Sequence, residues 1–100
     1  MLVSGGGGTL PLNTSEVYDP ASDRWETTDT LTDPRRRHTA TRLNTGKVLV
    51  AGGQSSIFTT LKRTELYDPA GGSWSNWANI AQARWGHLAF GLPEGRVLVV

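Results

Sequence analysis

Ser15-Glu16-Val17-Tyr18-Asp19-Pro20 returns 49 residues later as Thr64-Glu65-Leu66-Tyr67-Asp68-Pro69, and this recurrence decides how the chain is read. At the same shift Trp25 returns as Trp74, Arg35 as Arg84, His38 as His87, Leu43 as Leu92 and Gly46 as Gly95. The run Gly46-Lys47-Val48-Leu49-Val50 returns as Gly95-Arg96-Val97-Leu98-Val99. Residues 15–51 and 64–100 share 14 identities in 37 gapless positions, where chance supplies about two or three. An earlier match, Leu2-Val3-Ser4-Gly5-Gly6 with Leu49-Val50-Ala51-Gly52-Gly53, runs at a shift of 47. The loop in between therefore differs by two residues, 12 positions from Gly6 to Tyr18 against 14 from Gly53 to Tyr67. Loops absorb such a change and paired strands do not.

Each repeat spells short strands. Val48-Leu49-Val50-Ala51, stopped by Gly52-Gly53, predicts a strand buried on both faces. Ser15–Tyr18 and Thr64–Tyr67 alternate polar and apolar, a half-buried strand pattern closed by Asp-Pro. There the carboxylates of Asp19 and Asp68 can accept backbone N–H bonds two residues on. Trp25 and Trp74 open the next strands. Thr39–Leu43 and Leu88–Leu92 supply a further one, each followed by a turn (Asn44-Thr45-Gly46, Pro93-Glu94-Gly95) into the next Val-Leu-Val. Apolar residues between Trp74 and Phe90 also fit a helical stripe. The matching first copy, Trp25 to Thr41, holds six threonines and Pro34 and makes a poor helix, so strands and loops are expected in both.

Composition narrows the function classes. With 10 basic and 9 acidic residues the net charge is +1, which gives no general pull on nucleic acid or an anionic membrane. No apolar run approaches the roughly 20 residues of a membrane helix, and the start lacks the basic and apolar regions of a secretory leader. Zero cysteines exclude a disulfide scaffold, a thiolate metal site and a cysteine nucleophile within these residues.

The double glycine, Glu-x-Tyr-Asp-Pro, the tryptophan, and Arg-x-x-His before Gly-[Lys/Arg]-Val-Leu-Val together resemble the kelch repeat. The form is the longer one of bacterial kelch proteins and galactose oxidase-like enzymes, and the resemblance covers practically the whole chain, about two units. It implies an all-β fold: a kelch-type β-propeller segment of about two four-stranded antiparallel blades, a partial propeller. By that resemblance the strand after Arg35 or Arg84 is innermost, Val-Leu-Val-Ala second, Tyr-Asp-Pro third and the tryptophan strand outermost. Residues 1–46 then carry strands two to four of one blade and the innermost strand of the next. Residues 47–100 complete the second blade and run into a third. Glycines admit a close neighbour, and Trp25 and Trp74 are expected to fill the space between blade faces.

Two blades alone would leave two apolar flanks bare, more than a soluble monomer usually exposes. The expected partners are further kelch blades of a parent chain or, as the weaker alternative, identical copies closing a ring as a homotrimer of two-blade units. A protein or carbohydrate ligand is also expected, with no nucleic acid and no membrane. The compartment stays open; the resemblance favours an extracellular or bacterial cell-surface setting over the cytoplasm.

Arg36, Arg37 and Trp85 are the candidate binding residues, because they differ between copies; the run Arg35-Arg36-Arg37-His38 is a basic cluster suited to gripping carboxylate or phosphate groups. The repeating positions, Gly5, Gly6, Tyr18, Asp19, Trp25, Arg35 and His38 with Gly52, Gly53, Tyr67, Asp68, Trp74, Arg84 and His87, are assigned to structure. Arg35 and Arg84 are expected to pair with turn carboxylates such as Asp19 or Asp68. His38 and His87 are assigned hydrogen-bonding roles and no metal. Gly5 to Gly8 lacks the lysine of a phosphate loop, and Asn13-Thr14-Ser15 is a chance-level glycosylation sequon. Nothing in the pattern indicates a catalytic set, and no cofactor is expected. The resemblance implies that a copper oxidase of this type needs a tyrosine–cysteine crosslink, so Tyr18 and Tyr67 alone cannot supply one.

Overall fold

The computed structural model describes residues 1–7, 10–56 and 58–100. In chain order its strands are β1 (Leu2–Ser4), β2 (Ser15–Asp19), β3 (Arg24–Thr27), β4 (Thr39–Arg42), β5 (Val48–Ala51) and β6 (Gln54–Ser56). They continue as β7 (Thr59–Thr60), β8 (Thr64–Asp68), β9 (Ser73–Trp77), β10 (Ala89–Gly91) and β11 (Val97–Val99). A 3-10 turn, Pro93–Gly95, precedes β11. The protein is all-β: the described residues contain no α-helix, and the stretch from Trp74 to Phe90 leaves β9 at Trp77 and runs irregularly to β10.

The strands form antiparallel sheets in sequence order. The first is β1-β2-β3, the second β4-β5-β8-β9 and the third β10-β11, with β6-β7 as a small separate hairpin. None of these sheets closes on itself. Hairpin β6-β7 occupies the loop that is two residues longer in the second copy, and its presence was not legible from that length difference.

Registers repeat as faithfully as residues do. Leu2 faces Val17 in the first sheet, and Leu49 faces Leu66 in the second. Tyr18 pairs with Trp25 across β2-β3, and Tyr67 with Trp74 across β8-β9. Both ring pairs are tilted, with centroids 5.2 and 5.1 Å apart, so the repeat fixes a cross-strand aromatic unit. Asp19 and Asp68 then turn the chain: their Oδ1 atoms accept the N–H of Ala21 and Ala70 at 2.9 and 3.0 Å.

The core gathers on the second sheet and the linker before it. Leu31, Val50, Ala51, Leu61, Leu66 and Tyr67 are buried, and so are the polar Ser15, Arg35, Thr64 and Glu65. The alternation in Thr64–Tyr67 predicts a half-buried strand, yet all four residues are buried. Polar side chains are tolerated there because each finds partners, as the site below shows. On the outer sides Val3 and Trp25 lie open at the first sheet, and Trp77, Phe90 and Leu98 at the other end.

Candidate linker clasp and rim site

Consecutive sheets are joined by linkers that run across the ends of β1 and β5, and the double glycines receive them. Gly6 N–H donates to Arg35 O and Gly53 N–H to Arg84 O, both at 2.8 Å. A Cβ on Gly5 would lie 2.5 Å from Arg35 O, and one on Gly52 2.5 Å from Arg84 O. Each would also press on the ring of His38 or His87, at 2.9 or 2.8 Å from Cε1. Both glycines are left-handed, at φ +64° and +65°, so the repeated Gly-Gly answers to close approach and to backbone shape together.

The histidines cap this junction. His38 Nε2 sits 3.5 Å from Ser4 Oγ, and His87 Nε2 2.9 Å from Thr39 Oγ1. Burial and the nearby Arg35 charge push the His38 ring down to about 4. Burial and Arg84 also lower His87. Both rings are therefore neutral at pH 7, held as hydrogen-bonding wedges. No group of three metal-ligating side chains exists among the described residues.

Arg35 is fully buried and makes the clasp. Its Nη2 donates to Glu65 Oε2 at 2.8 Å, while Nη1 donates to Gly52 O at 2.9 Å and Arg63 O at 3.0 Å. Asp33 Oδ2 stands 3.7 Å away as a second negative charge. Glu65, equally buried, also accepts Thr32 N–H at 2.6 Å and Asp33 N–H at 3.3 Å. The linker is thus tied to the β8 strand of the sheet that follows it. The expected pairing of Arg35 with Asp19 or Asp68 is not formed, because those carboxylates are committed to their own turns. Glu65 carried a signal that went unused: it repeats Glu16 and interrupts an otherwise coherent strand with a carboxylate.

The tryptophans depart from expectation in one copy. Trp74 is half-buried against the first sheet; its Nε1–H donates to Ser15 Oγ at 3.0 Å and its backbone N–H to Asp29 Oδ2 at 3.2 Å. Trp25 is 47% exposed. Among the described residues it fills no inter-sheet space. Tyr67 Oη lies 3.1 Å from Thr28 Oγ1 of the first sheet, whereas Tyr18 O–H donates to its own turn residue Asp23 at 2.6 Å.

The three candidate binding residues lie on the rim where the linkers enter β4 and β10. Arg36 exchanges backbone hydrogen bonds with Gln54 at 3.0 and 2.8 Å, which docks hairpin β6-β7 onto the linker. The Arg37 guanidinium carbon sits 5.0 Å from the centre of the Trp85 ring, a cation–π contact. Gly86 N–H donates to Arg37 O at 2.9 Å, so the two linkers are neighbours in space. Arg37 holds φ +56° where its repeat partner Gly86 holds +63°, a side chain placed on a glycine-type position. Gly8, the last of the glycine run, lies outside the described residues.

No family model and no curated protein matches the chain. Among solved structures, a fungal alcohol oxidase of the AA5 family, in complex with copper, is similar with a TM-score of 0.77 at 22% identity. The match covers 88% of this chain and 21% of the oxidase, so the chain spans about a fifth of that relative. The likeness is one of fold.

Proposed function

We propose that the chain is a segment of a kelch-type β-propeller that serves as a non-enzymatic binding scaffold. Sheets one to three are then consecutive blades, with β4 and β10 lining the channel. The observation that carries the binding role is the Arg37–Trp85 stack. Two positions that vary between otherwise matching linkers come together on an exposed rim, with a cation over an aromatic face and Arg36 alongside. Such a pair presents guanidinium N–H donors beside a flat apolar ring, chemistry suited to an acidic protein segment or to a carbohydrate. Arrays of glycans and acidic peptides probed with the chain test this. Arg37→Ala and Trp85→Ala should each abolish retained ligands while the melting temperature stays within a few degrees. Ligands that bind both variants as well as the parent would refute the assignment.

A second reading, the propeller portion of a galactose oxidase-like or other carbohydrate-active enzyme, is supported by the fold likeness to the AA5 oxidase. Copper chemistry does not fit the residues at hand: there is no cysteine, and no three-ligand group among the described residues. On this reading the reacting centre belongs to residues beyond these 100. Copper-dependent alcohol oxidation by a longer parent chain, absent without copper, would favour it.

A further inference from the structure

Hairpin β6-β7 is anchored at its base between the two linkers. On one side Gln54 exchanges backbone bonds with Arg36; on the other Gly53 N–H donates to Arg84 O at 2.8 Å and Arg84 N–H to Leu61 O at 3.2 Å. The hairpin therefore stands on the same rim as the Arg37–Trp85 stack. Its tip carries Phe58, which at 91% exposure is the barest large apolar side chain among the described residues. The tip is tied: Phe58 N–H donates to Ser56 Oγ at 3.2 Å, and the Ser56 hydroxyl donates to Thr59 Oγ1 at 3.1 Å. Serine and threonine hydroxyls thus frame an exposed aromatic ring.

The charge on this rim has one sign. Residues 34–38, 54–60 and 83–87 hold four arginines and no aspartate or glutamate. Of these arginines Arg35 is buried in the clasp, and Arg37 is the exposed one. Arg37 also keeps a left-handed backbone, φ +56°, at the position where the other copy uses Gly86. A non-glycine residue costs stability in that conformation, and such residues persist where the side chain is put to use. Trp85 is still 46% exposed beneath the Arg37 stack, so indole surface remains for a ligand.

We infer that the rim takes an acidic polysaccharide, a chain of uronic acid units, laid from the Arg37–Trp85 stack along hairpin β6-β7 toward Phe58. Each such unit joins a carboxylate to a pyranose ring whose C–H face is apolar and whose edge carries hydroxyls. Arg37 takes the carboxylate in its planar fork. Trp85 and Phe58 take ring faces, and the exposed Thr59 and Thr60 offer hydroxyls to the sugar edge. An acidic peptide satisfies Arg37 but brings no ring face for Phe58, while a neutral glycan covers the rings and leaves Arg37 unanswered. A sulfated chain carries denser charge than one exposed guanidinium on a protein of net charge +1 can match. The strand from Gln54 to Ser56 alone spans about 7 Å, so an oligomer rather than one sugar reaches from the stack to the tip. The inference deepens the binding-scaffold reading and rests on it.

The test titrates the intact chain by calorimetry with hexamers of galacturonate, glucuronate and mannuronate, with their methyl esters, with hexaglutamate and with sulfated dextran. At least one uronate hexamer should bind saturably, one per chain, and its neutral ester at least tenfold more weakly. Phe58→Ala should weaken that hexamer about tenfold. Arg37→Gly should weaken it at least tenfold while the melting temperature holds or rises, a combination that a merely structural arginine does not give. Binding of none of the three uronates, or of acid and ester alike, would overturn the inference. So would tighter binding of hexaglutamate or sulfated dextran, or a hexamer indifferent to Phe58→Ala. An acidic peptide or neutral glycan retained through Arg37 and Trp85 would keep the binding scaffold and remove this ligand class. A uronate hexamer indifferent to both Arg37→Gly and Trp85→Ala would remove both readings.

Discussion

The first and second sheets carry the same glutamate, tyrosine and tryptophan at matching positions, yet they are held very differently. In the second sheet Glu65 is buried under Arg35 and two backbone N–H groups, Tyr67 reaches Thr28, and Trp74 reaches Ser15. In the first, Glu16 is exposed, Tyr18 folds back on Asp23, and Trp25 lies half in solvent. The difference is one of neighbours. A carboxylate, a phenol and an indole in equivalent strands become structural only when an adjoining linker or sheet supplies the matching group. The repeat thus encodes an interface rather than a self-sufficient sheet.

Substituting equivalent positions sharpens that contrast. The largest gap is expected at the glutamates. Glu65→Ala leaves a buried guanidinium with only Asp33, 3.7 Å away, as counter-charge and should cost about 3 kcal/mol, whereas Glu16→Ala should cost less than about 0.5 kcal/mol. Urea unfolding of both variants checks this, and equal losses would break the comparison. The second glycines come next. A Cβ on Gly53 would meet Arg36 O at 2.6 Å, while one on Gly6 meets nothing within 4 Å, though both are left-handed. Gly53→Ala should therefore cost about 3 kcal/mol, combining overpacking with backbone strain, and Gly6→Ala about 1 kcal/mol of strain alone.

The histidines give the comparison a pH axis. His38 titrates at about 4 in the folded chain against about 6.5 unfolded, so between those values the unfolded state binds more protons. Its stabilising contribution is complete above pH 6.5 and is lost as pH falls toward 4, up to about 3 kcal/mol. His38→Gln should flatten most of that acid-side slope in denaturant midpoints measured from pH 7 to pH 4. His87→Gln should flatten less, since its ring is nearer solvent. The smallest effect is expected at the indoles. Trp74→Ala should cost about 2 kcal/mol and Trp25→Ala less than about 1 kcal/mol, below the 3–5 or so that full burial would give both. Thermal unfolding of the pair decides it.

What the sequence revealed and what it hid follow the same division. Most strand positions were legible because alternation, Asp-Pro turns and glycine stops are local, and because two copies had to agree; the order of strands within a sheet came from the kelch resemblance. The threonine-rich first copy rejected a helix that Trp74–Phe90 alone would have allowed. The clasp was not legible: Arg35 and Glu65 lie 30 residues apart, and nothing local distinguishes Glu65 from a solvent-facing carboxylate. Hairpin β6-β7 was hidden because an insertion's length does not state its pairing. At the rim, Arg36, Arg37 and Trp85 could be singled out by their variation, but the Arg37–Trp85 stack depends on two linkers meeting in space.

The direction of the clasp orders events during synthesis. Arg35 leaves the ribosome ahead of Glu65, and the linker between the first and second sheets is fastened to the sheet that comes after it. A nascent chain that stops short of β8 carries a cation with no dry place to go, so its linker stays hydrated and unlatched. Closure of that linker thus waits for the translation of β8.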